Sequence, residues 1–177
     1  EVNVSGSHAD ASFTIPKYVL QNDNQFNGTV KFAAYDRSGN VSEITDSSKV
    51  VVVDNIKPTA TVTFNDAVQT IDGVAYYNGD INATVVINEA NFYSDDVEII
   101  VTKNGAVCPV SVKWVNNSVD VHTGTFTLTG DGDYVVKVNY TDKSTNEMVP
   151  FVSGQLTIDT IDPVINVTDV KHGSANN

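Results

Sequence analysis

Hydrophobic and polar residues alternate along most of this chain, and the alternation predicts β-strands. Over residues 81–88 and again over residues 134–140, every second residue is apolar and the residues between are mostly polar. A period of two residues turns one face of a strand toward a core and the other toward solvent. No window of about 11 residues, the length at which a helical pattern becomes readable, keeps a helical period. The sequence therefore predicts an all-β chain.

Two dipeptides predict hairpins. Asp72-Gly73 separates the predicted strands 68–71 and 74–77, and Asn104-Gly105 ends the predicted strand 97–103. Both dipeptides tolerate the positive φ angles that two-residue hairpin turns require. Roughly seven to nine short strands in about 100 residues, separated by turns, are typical of a two-sheet sandwich. A closed barrel is the alternative architecture.

One stretch of the sequence occurs twice. Residues 50–62 read VVVVDNIKPTATV, and residues 155–167 read QLTIDTIDPVINV. Asp54 and Pro58 in the first copy match Asp159 and Pro163 in the second at a spacing of 105 residues. In each copy a strand is followed by an aspartate, three further residues, a proline and another strand. This pattern is typical of a seam between two modules. A seam that recurs at a fixed spacing indicates an array.

A polar turn repeats with almost the same spacing. Residues 36–40 read DRSGN, and residues 142–146 read DKSTN, 106 residues later. Thr145 stands where the first turn has Gly39, which indicates that this turn does not strictly need a glycine. The two turns support the repeat independently of the seams.

The repeat predicts three pieces. Residues 54–158 form a complete module, residues 1–53 are expected to be the C-terminal part of a truncated module, and residues 159–177 the first strand of a further one. Within the first piece, residues 1–11 are expected to be a loop or frayed strand and residues 13–15 a short strand. Residues 21–28 are predicted to be a turn-rich loop, followed by a strand over residues 29–35.

Composition excludes several classes of function, and it says less about the fold. The net charge is −12 and there is a single arginine, Arg37, so the basic surface that binds nucleic acid is missing. Cys108 is the only cysteine, which rules out a disulfide within the chain. No run of about 18 apolar residues occurs, so the sequence predicts no membrane-spanning helix. No G-x-S-x-G motif, zinc-ligand spacing or phosphate-binding loop occurs, so the chain is predicted not to be an enzyme.

Calcium is the one cofactor that the acidic residues suggest, because it takes carboxylate and carbonyl oxygens. Asp54 and Asp159 lie at the seams, and Asp142 opens the second polar turn. These three are the candidate calcium ligands. The alternative is that each aspartate forms a turn or caps a backbone N–H. Lys57 stands in the first seam where the second has Asp162, which weakens the calcium hypothesis.

Aromatic residues raise the alternative of carbohydrate binding. Tyr76, Tyr77 and Tyr93 are the candidate exposed rings. In the adjacent pair, one ring should face outward if the pair lies in a strand. Trp114 alternates with Val112 and is expected to face the core.

Several of these residues resemble Big-type immunoglobulin-like domains, which occur in tandem in exported bacterial surface proteins. The resemblance rests on Tyr76-Tyr77-Asn78, on residues 88–92 (NEANF), on Asp133-Tyr134, on the repeated polar turn and on the seam. Tyr134 resembles the tyrosine of the tyrosine corner, whereas the first copy has Gly28 at that place. The fold implied is a set of tandem immunoglobulin-like β-sandwich modules.

The resemblance also implies a role and a location. Modules of this family are displayed on the bacterial cell surface or secreted, and they act as spacers or adhesive units. The expected function is thus structural, with neighbouring modules of the same chain as partners. The alternative is an accessory module of a secreted hydrolase that binds a glycan or a host surface protein.

Overall fold

A computed structural model describes residues 26–168 and Gly173. These residues form strands joined by turns, together with one short 3-10 turn at Ser94–Asp96, and the predicted all-β class is confirmed. In this part of the chain no helix has both the length and the apolar character needed to cross a membrane. The expectations for residues 1–11 and 13–15 lie outside the described residues.

Fifteen strands are present among the described residues. They are β1 (Phe26–Gly28), β2 (Lys31–Phe32), β3 (Thr45–Asp46), β4 (Val51–Val53), β5 (Thr59–Phe64), β6 (Gln69–Ile71), β7 (Val74–Tyr77), β8 (Ile81–Asn88), β9 (Val97–Lys103), β10 (Ala106–Val107), β11 (Lys113–Asn116), β12 (Val121–Leu128), β13 (Gly132–Tyr140), β14 (Phe151–Val152) and β15 (Leu156–Ile158).

Two larger sheets share one core in a sandwich-like arrangement. The first has the order β11-β12-β8-β5, and the second has the order β10-β9-β13-β15-β7-β6 with β14 also paired to β13. Ile81 and Val85 of β8 and Val136 and Val138 of β13 are fully buried in the same cluster. Burying each such side chain stabilises the fold by roughly 1.5–3 kcal/mol. The alternating pattern of the sequence therefore supplies the two inner faces.

Both predicted hairpins form. At the first turn Asp72 and Gly73 have φ angles of 50° and 82°, and at the second Asn104 and Gly105 have φ angles of 52° and 80°. Positive φ at both central residues gives the turn a twist that matches the flanking strands. The turns join β6 to β7 and β9 to β10.

Tyr134 closes one corner of the sandwich. Its ring is buried, and its hydroxyl contacts the carbonyl oxygens of Thr129 at 2.6 Å and Gly130 at 2.9 Å. A tyrosine hydroxyl that returns to the backbone a few residues upstream is the geometry of a tyrosine corner. The sequence-based assignment of Tyr134 to such a corner agrees with this geometry.

The tryptophan packs against the core as expected. Trp114 of β11 is partly buried and lies directly opposite Gly124 of β12. A Cβ atom at Gly124 would come within 2.9 Å of the indole, so a glycine is needed there for the ring to lie flat on the strand. Part of the ring remains at the surface, where it lines a shallow depression.

One predicted loop ends in a strand, and its residues 21–25 lie outside the described residues. Residues 21–28 were expected to be turn-rich, yet Phe26–Gly28 forms β1 and pairs with Val51–Val53 of β4. Asn27 and Gly28 have low strand propensity, but the antiparallel ladder with Val52 and Val51 outweighs it. Strand propensity depends strongly on such tertiary pairing.

The pairing of β1 with β4 recurs in the second half of the chain. Phe26 lies opposite Val53 in the first ladder, and Gly132 lies opposite Ile158 in the second. Val30 donates its backbone N–H to the Ser47 hydroxyl at 3.1 Å, and Val136 donates to the Ser153 hydroxyl at 2.9 Å. Each matched pair of positions is separated by 105 or 106 residues, the spacing of the sequence repeat.

Candidate functional site

Asp142 organises the polar turn after β13. One carboxylate oxygen, Oδ1, accepts the backbone N–H of Asn146 at 2.8 Å, and Oδ2 accepts the Asn146 side-chain amide at 2.8 Å. The Thr145 N–H donates to the Asp142 carbonyl at 3.1 Å. These bonds hold the turn closed and leave the Asp142 carboxylate buried, with 4% of the residue exposed.

The same turn at residues 36–40 shows what the glycine contributes. Gly39 has a φ of 87° and Thr145, at the matching position, has a φ of 69°. Both turns thus require the left-handed conformation, which a β-branched residue adopts only at a cost. The second turn closes with Thr145 at the place of Gly39, which agrees with the inference that the turn does not strictly need a glycine, although the threonine adopts its positive φ at a cost in strain.

Asp54 ties the segment after β4 to two other parts of the chain. Its Oδ1 accepts the backbone N–H of Ile56 at 3.0 Å, which shapes the turn before Pro58. Its Oδ2 accepts the side-chain amide of Asn91 at 2.8 Å, and its carbonyl accepts the side-chain amide of Asn146 at 3.1 Å. Asp54 is 6% exposed.

Glu89 supplies a third buried carboxylate. It follows the last residue of β8, and its Oε1 accepts the backbone N–H of Asn91 at 2.8 Å. Its carbonyl lies 2.8 Å from Nε2 of His122, whose Nδ1 lies 2.9 Å from Oδ1 of Asn116. Phe92 stacks on the His122 ring with centroids 4.1 Å apart. Phe92 is partly buried and packs against the core at this end.

Together Asp54, Glu89 and Asp142 form what we call the carboxylate cluster. Each residue offers one carboxylate oxygen, and the three oxygens lie within 4.8 Å of one another. Burial above all, together with the charges of Asp54 and Asp142, raises the pKa of Glu89 to about 7 against the opposing effect of the Asn91 N–H bond. Buried like charges at this distance need a compensating proton or cation.

The donor set decides which cation suits the cluster. All three groups are hard oxygen donors without a nitrogen or sulfur, and Ca²⁺ prefers such ligands. The arrangement can therefore hold a shared proton or a calcium ion. The predicted ligands Asp54 and Asp142 are brought together as the calcium hypothesis requires.

Asp159 does not belong to this group. It is exposed, and its Oδ1 accepts the backbone N–H of Ile161 at 3.1 Å, as Asp54 does with Ile56. The local turn of the seam is therefore the same in both copies, but no described carboxylates gather around Asp159. For Asp159 the structure favours the alternative role of turn formation.

Glu89 was not among the sequence-predicted ligands. It lies in the NEANF stretch that carries part of the family resemblance, directly after the alternating pattern of β8. An acidic residue at the end of a buried strand was the available signal. Its burial depends on two distant segments, around Asp54 and Asp142, which the local pattern does not reveal.

The three candidate aromatic residues have different surroundings. Tyr93 is 53% exposed, Tyr76 is half-buried, and Tyr77 is only 6% exposed. The prediction that the Tyr77 ring is exposed is therefore wrong. It pairs with Ile158 of β15 in the parallel ladder and faces the core, and burial raises its pKa. The expectation that one ring of the adjacent pair turns outward agrees with the greater exposure of Tyr76.

Comparison of the chain with protein-family models, with curated proteins and with solved structures finds no match in any of the three. The functional conclusion therefore depends on the residues and their geometry.

Proposed function

We propose that this chain is a non-catalytic structural part of a bacterial cell-surface or secreted protein built from tandem immunoglobulin-like sandwich modules. The observation that supports it most is the recurrence of one local structure. The ladder of β1 with β4, the serine bridge that follows it and the polar turn all return about 105 residues later as β13 with β15, its serine bridge and its turn.

The surroundings of Asp54 fit a junction between two such modules. Asn27 of β1 donates its side-chain amide to Oδ1 of Asn91 at 2.8 Å, and Asn91 donates to Asp54 at 2.8 Å. This chain of bonds links the segment before the predicted boundary to the segment after it. A polar link of this kind limits the angle between neighbours, which suits a spacer.

The carboxylate cluster lies at the same junction. A divalent cation bound there would offset two of the three negative charges and hold together the segment after β4, the end of β8 and the polar turn. Calcium is our hypothesis for that ion, and a shared proton is the alternative. The proposed structural role does not depend on which of the two is present.

Single-molecule force spectroscopy on the 177-residue chain, held by its two ends, tests the structural role. A module of residues 54–158 should unfold in one step and release about 350–380 Å of contour length less the distance between its ends in the fold, since each extended residue spans at most about 3.3–3.6 Å. Release of contour length in many small steps, or at forces too low to resolve, would contradict a module that resists tension.

A matched pair of variants locates the event. Val136 is fully buried and its neighbour Val135 is only half-buried on the other face of β13. Val136→Asp should abolish the step because an unpaired charge would enter the core. Val135→Asp should keep a step of the same length. A step that survives both substitutions would place the resisting unit outside the sandwich.

A further inference from the structure

A shallow depression lies beside the 3-10 turn Ser94–Asp96, where β11 meets the connection after β8. Its volume is about 270 Å³, near the lower end of the roughly 300–1,000 Å³ typical of small-molecule sites. The residues that line it are Phe92, Tyr93, Ser94, Asp95, Trp114 and Asn116. Three of them are aromatic and three are polar, so the depression combines apolar ring surface with hydrogen-bonding groups.

The aromatic side is held in place before any ligand arrives. The backbone N–H of Tyr93 donates to the hydroxyl of Tyr140 at 3.1 Å, and Lys143 Nζ lies 5.3 Å from the centre of the Tyr93 ring. Lys143 is itself fixed by Asp96 at 2.6 Å. Because Tyr93 is 53% exposed yet anchored, it offers a rigid ring surface at low entropic cost.

Trp114 and Phe92 complete the apolar side. Their ring centroids lie 5.1 Å apart and their planes are tilted by 56°. Phe92 also stacks on His122, which fixes its orientation from behind. The apolar C–H face of a sugar ring packs on aromatic rings of this kind, since the ring face carries partial negative charge and the C–H groups partial positive charge.

The polar side offers groups suited to hydroxyls. The Asn116 Oδ1 atom is occupied by His122, and its Nδ2 donates to no group among the described residues. Within residues 26–168, the Ser94 hydroxyl and the Asp95 carboxylate also make no side-chain hydrogen bond. One donor, one hydroxyl and one acceptor around an apolar surface match the alternating donors and acceptors of a sugar unit.

Charge decides between sugar classes. Asp95 contributes a carboxylate to the lining, and the whole chain carries a net charge of −12. Both features repel uronic acids, sulfated sugars and other anionic units. The small volume holds one sugar unit and excludes an extended peptide.

From this combination we propose that the depression binds one neutral hexose or N-acetylhexosamine unit of a glycan. Tyr93 and Trp114 form the stacking surface, and Asn116, Ser94 and Asp95 bind the hydroxyls. This binding does not depend on the structural role proposed above. The lining adjoins the carboxylate cluster through the contact of Phe92 with His122, but it contains none of the three cluster carboxylates.

Trp114 makes the proposal testable, since it is the only tryptophan of the chain. The intact chain is titrated with the methyl glycosides of glucose, galactose, mannose and N-acetylglucosamine while Trp114 emission and the Asn116 side-chain amide resonance are recorded. At least one glycoside should give a saturable change of both signals. Tyr93→Ala should weaken its affinity at least about tenfold, and Tyr93→Phe should keep most of it.

Tyr76→Ala is the matched control, because Tyr76 lies on β7 in the other sheet and should leave the affinity unchanged. Unfolding midpoints of the three variants verify that each is folded. No response to any of the four glycosides up to tens of millimolar overturns the proposal. A response that Tyr93→Ala leaves intact also overturns it, because binding would then lie elsewhere.

Discussion

The two polar turns have one backbone geometry and two different environments. At residues 36–40 and at residues 142–146, the leading aspartate accepts the N–H and the side-chain amide of the asparagine four residues later. Asp36 is exposed, and the hydrogen bonds from Asn40 lower its pKa below the ordinary value. Asp142 is 4% exposed and faces Asp54 and Glu89.

The difference shows that a turn sequence determines its own hydrogen bonds but not its chemistry. The Asp-x-Ser-x-Asn pattern builds the same closed loop in both places. Among the described residues, the segment after β4 and the end of β8 cover the second loop and not the first. This cover turns an ordinary turn aspartate into part of a buried charge cluster. Variants that alter one turn and spare the other test this account.

The largest expected effect comes from pH. Glu89 has a pKa of about 7 in the fold against an ordinary 4.5, so between these values the folded chain binds more protons than the unfolded one. The stabilisation that Glu89 contributes is therefore complete below about pH 4.5 and is lost as the pH rises to about 7. The free energy of unfolding falls over this range by no more than about 3 kcal/mol. Denaturant unfolding of the chain in chelator at pH 5 and 7.5 measures this loss.

Glu89→Gln should remove the pH dependence and leave the variant more stable than the wild type at pH 7.5. The glutamine keeps an oxygen for the Asn91 N–H while losing the charge. Glu98→Gln, on the exposed face of β9, is the control and should keep the wild-type profile. A wild-type stability that is flat between pH 5 and 7.5 would show that Glu89 titrates normally.

Next in size is the removal of each turn aspartate. Asp142→Ala removes the oxygens that accept the Asn146 N–H and the Asn146 side-chain amide, and it leaves that amide half-buried without a carboxylate partner. The loss is partly offset because the repulsion with Glu89 is relieved, so the free energy of unfolding should fall by about 2 kcal/mol. Asp36→Ala should cost clearly less, because water replaces the lost bonds at an exposed turn. Denaturant unfolding measures both variants. If the free energy of unfolding falls equally in the two, burial of the second turn does not have the proposed effect.

A third comparison concerns the corner that only the second copy has. Tyr134→Phe removes the hydroxyl that contacts the Thr129 and Gly130 carbonyls and should cost about 1–1.5 kcal/mol. The first copy has Gly28 at this place and has no such bond to lose. Tyr35→Phe, at a ring that is 66% exposed, serves as the control and should change the midpoint little. If Tyr134→Phe leaves the unfolding midpoint unchanged, the hydroxyl contributes no stability beyond that of the buried ring.

The smallest effect is expected at the left-handed residue of each turn. Thr145→Gly should stabilise the chain by up to about 1 kcal/mol, because glycine adopts positive φ without strain. Gly39→Thr should destabilise its turn for the converse reason. Melting curves of both variants give the two signs, and a destabilised Thr145→Gly would show that the Thr145 side chain makes a compensating contact.

Much of the fold could be predicted from local sequence. Alternation located β8 and β13, the Asp-Gly and Asn-Gly pairs located both hairpins, and Tyr134 indicated the corner. These features succeed because strand periodicity and positive-φ turns are determined by neighbouring residues. The strand β1 was missed because its stability comes from β4, more than 20 residues away.

The candidate site was predicted only in part, for a similar reason. Asp54 and Asp142 were found because the repeat drew attention to them, whereas Asp159 was included on the same pattern and makes only a turn. Glu89 and the burial of Tyr77 depend on which strands pack together: Tyr77 faces inward because β7 pairs in parallel with β15. No local pattern carries that information.

The most direct test of the account is thermal unfolding of the 177-residue chain at pH 7.5 in calcium and in chelator, beside Asp142→Asn and Asp36→Asn. If the carboxylate cluster takes up a cation, calcium stabilises the folded state only, and the midpoint rises by several degrees. The rise should persist in Asp36→Asn and vanish in Asp142→Asn. An unchanged midpoint in the wild type would contradict calcium binding and leave the shared proton, whereas an equal rise in both variants would contradict the claim that the buried turn differs in its chemistry from the exposed one.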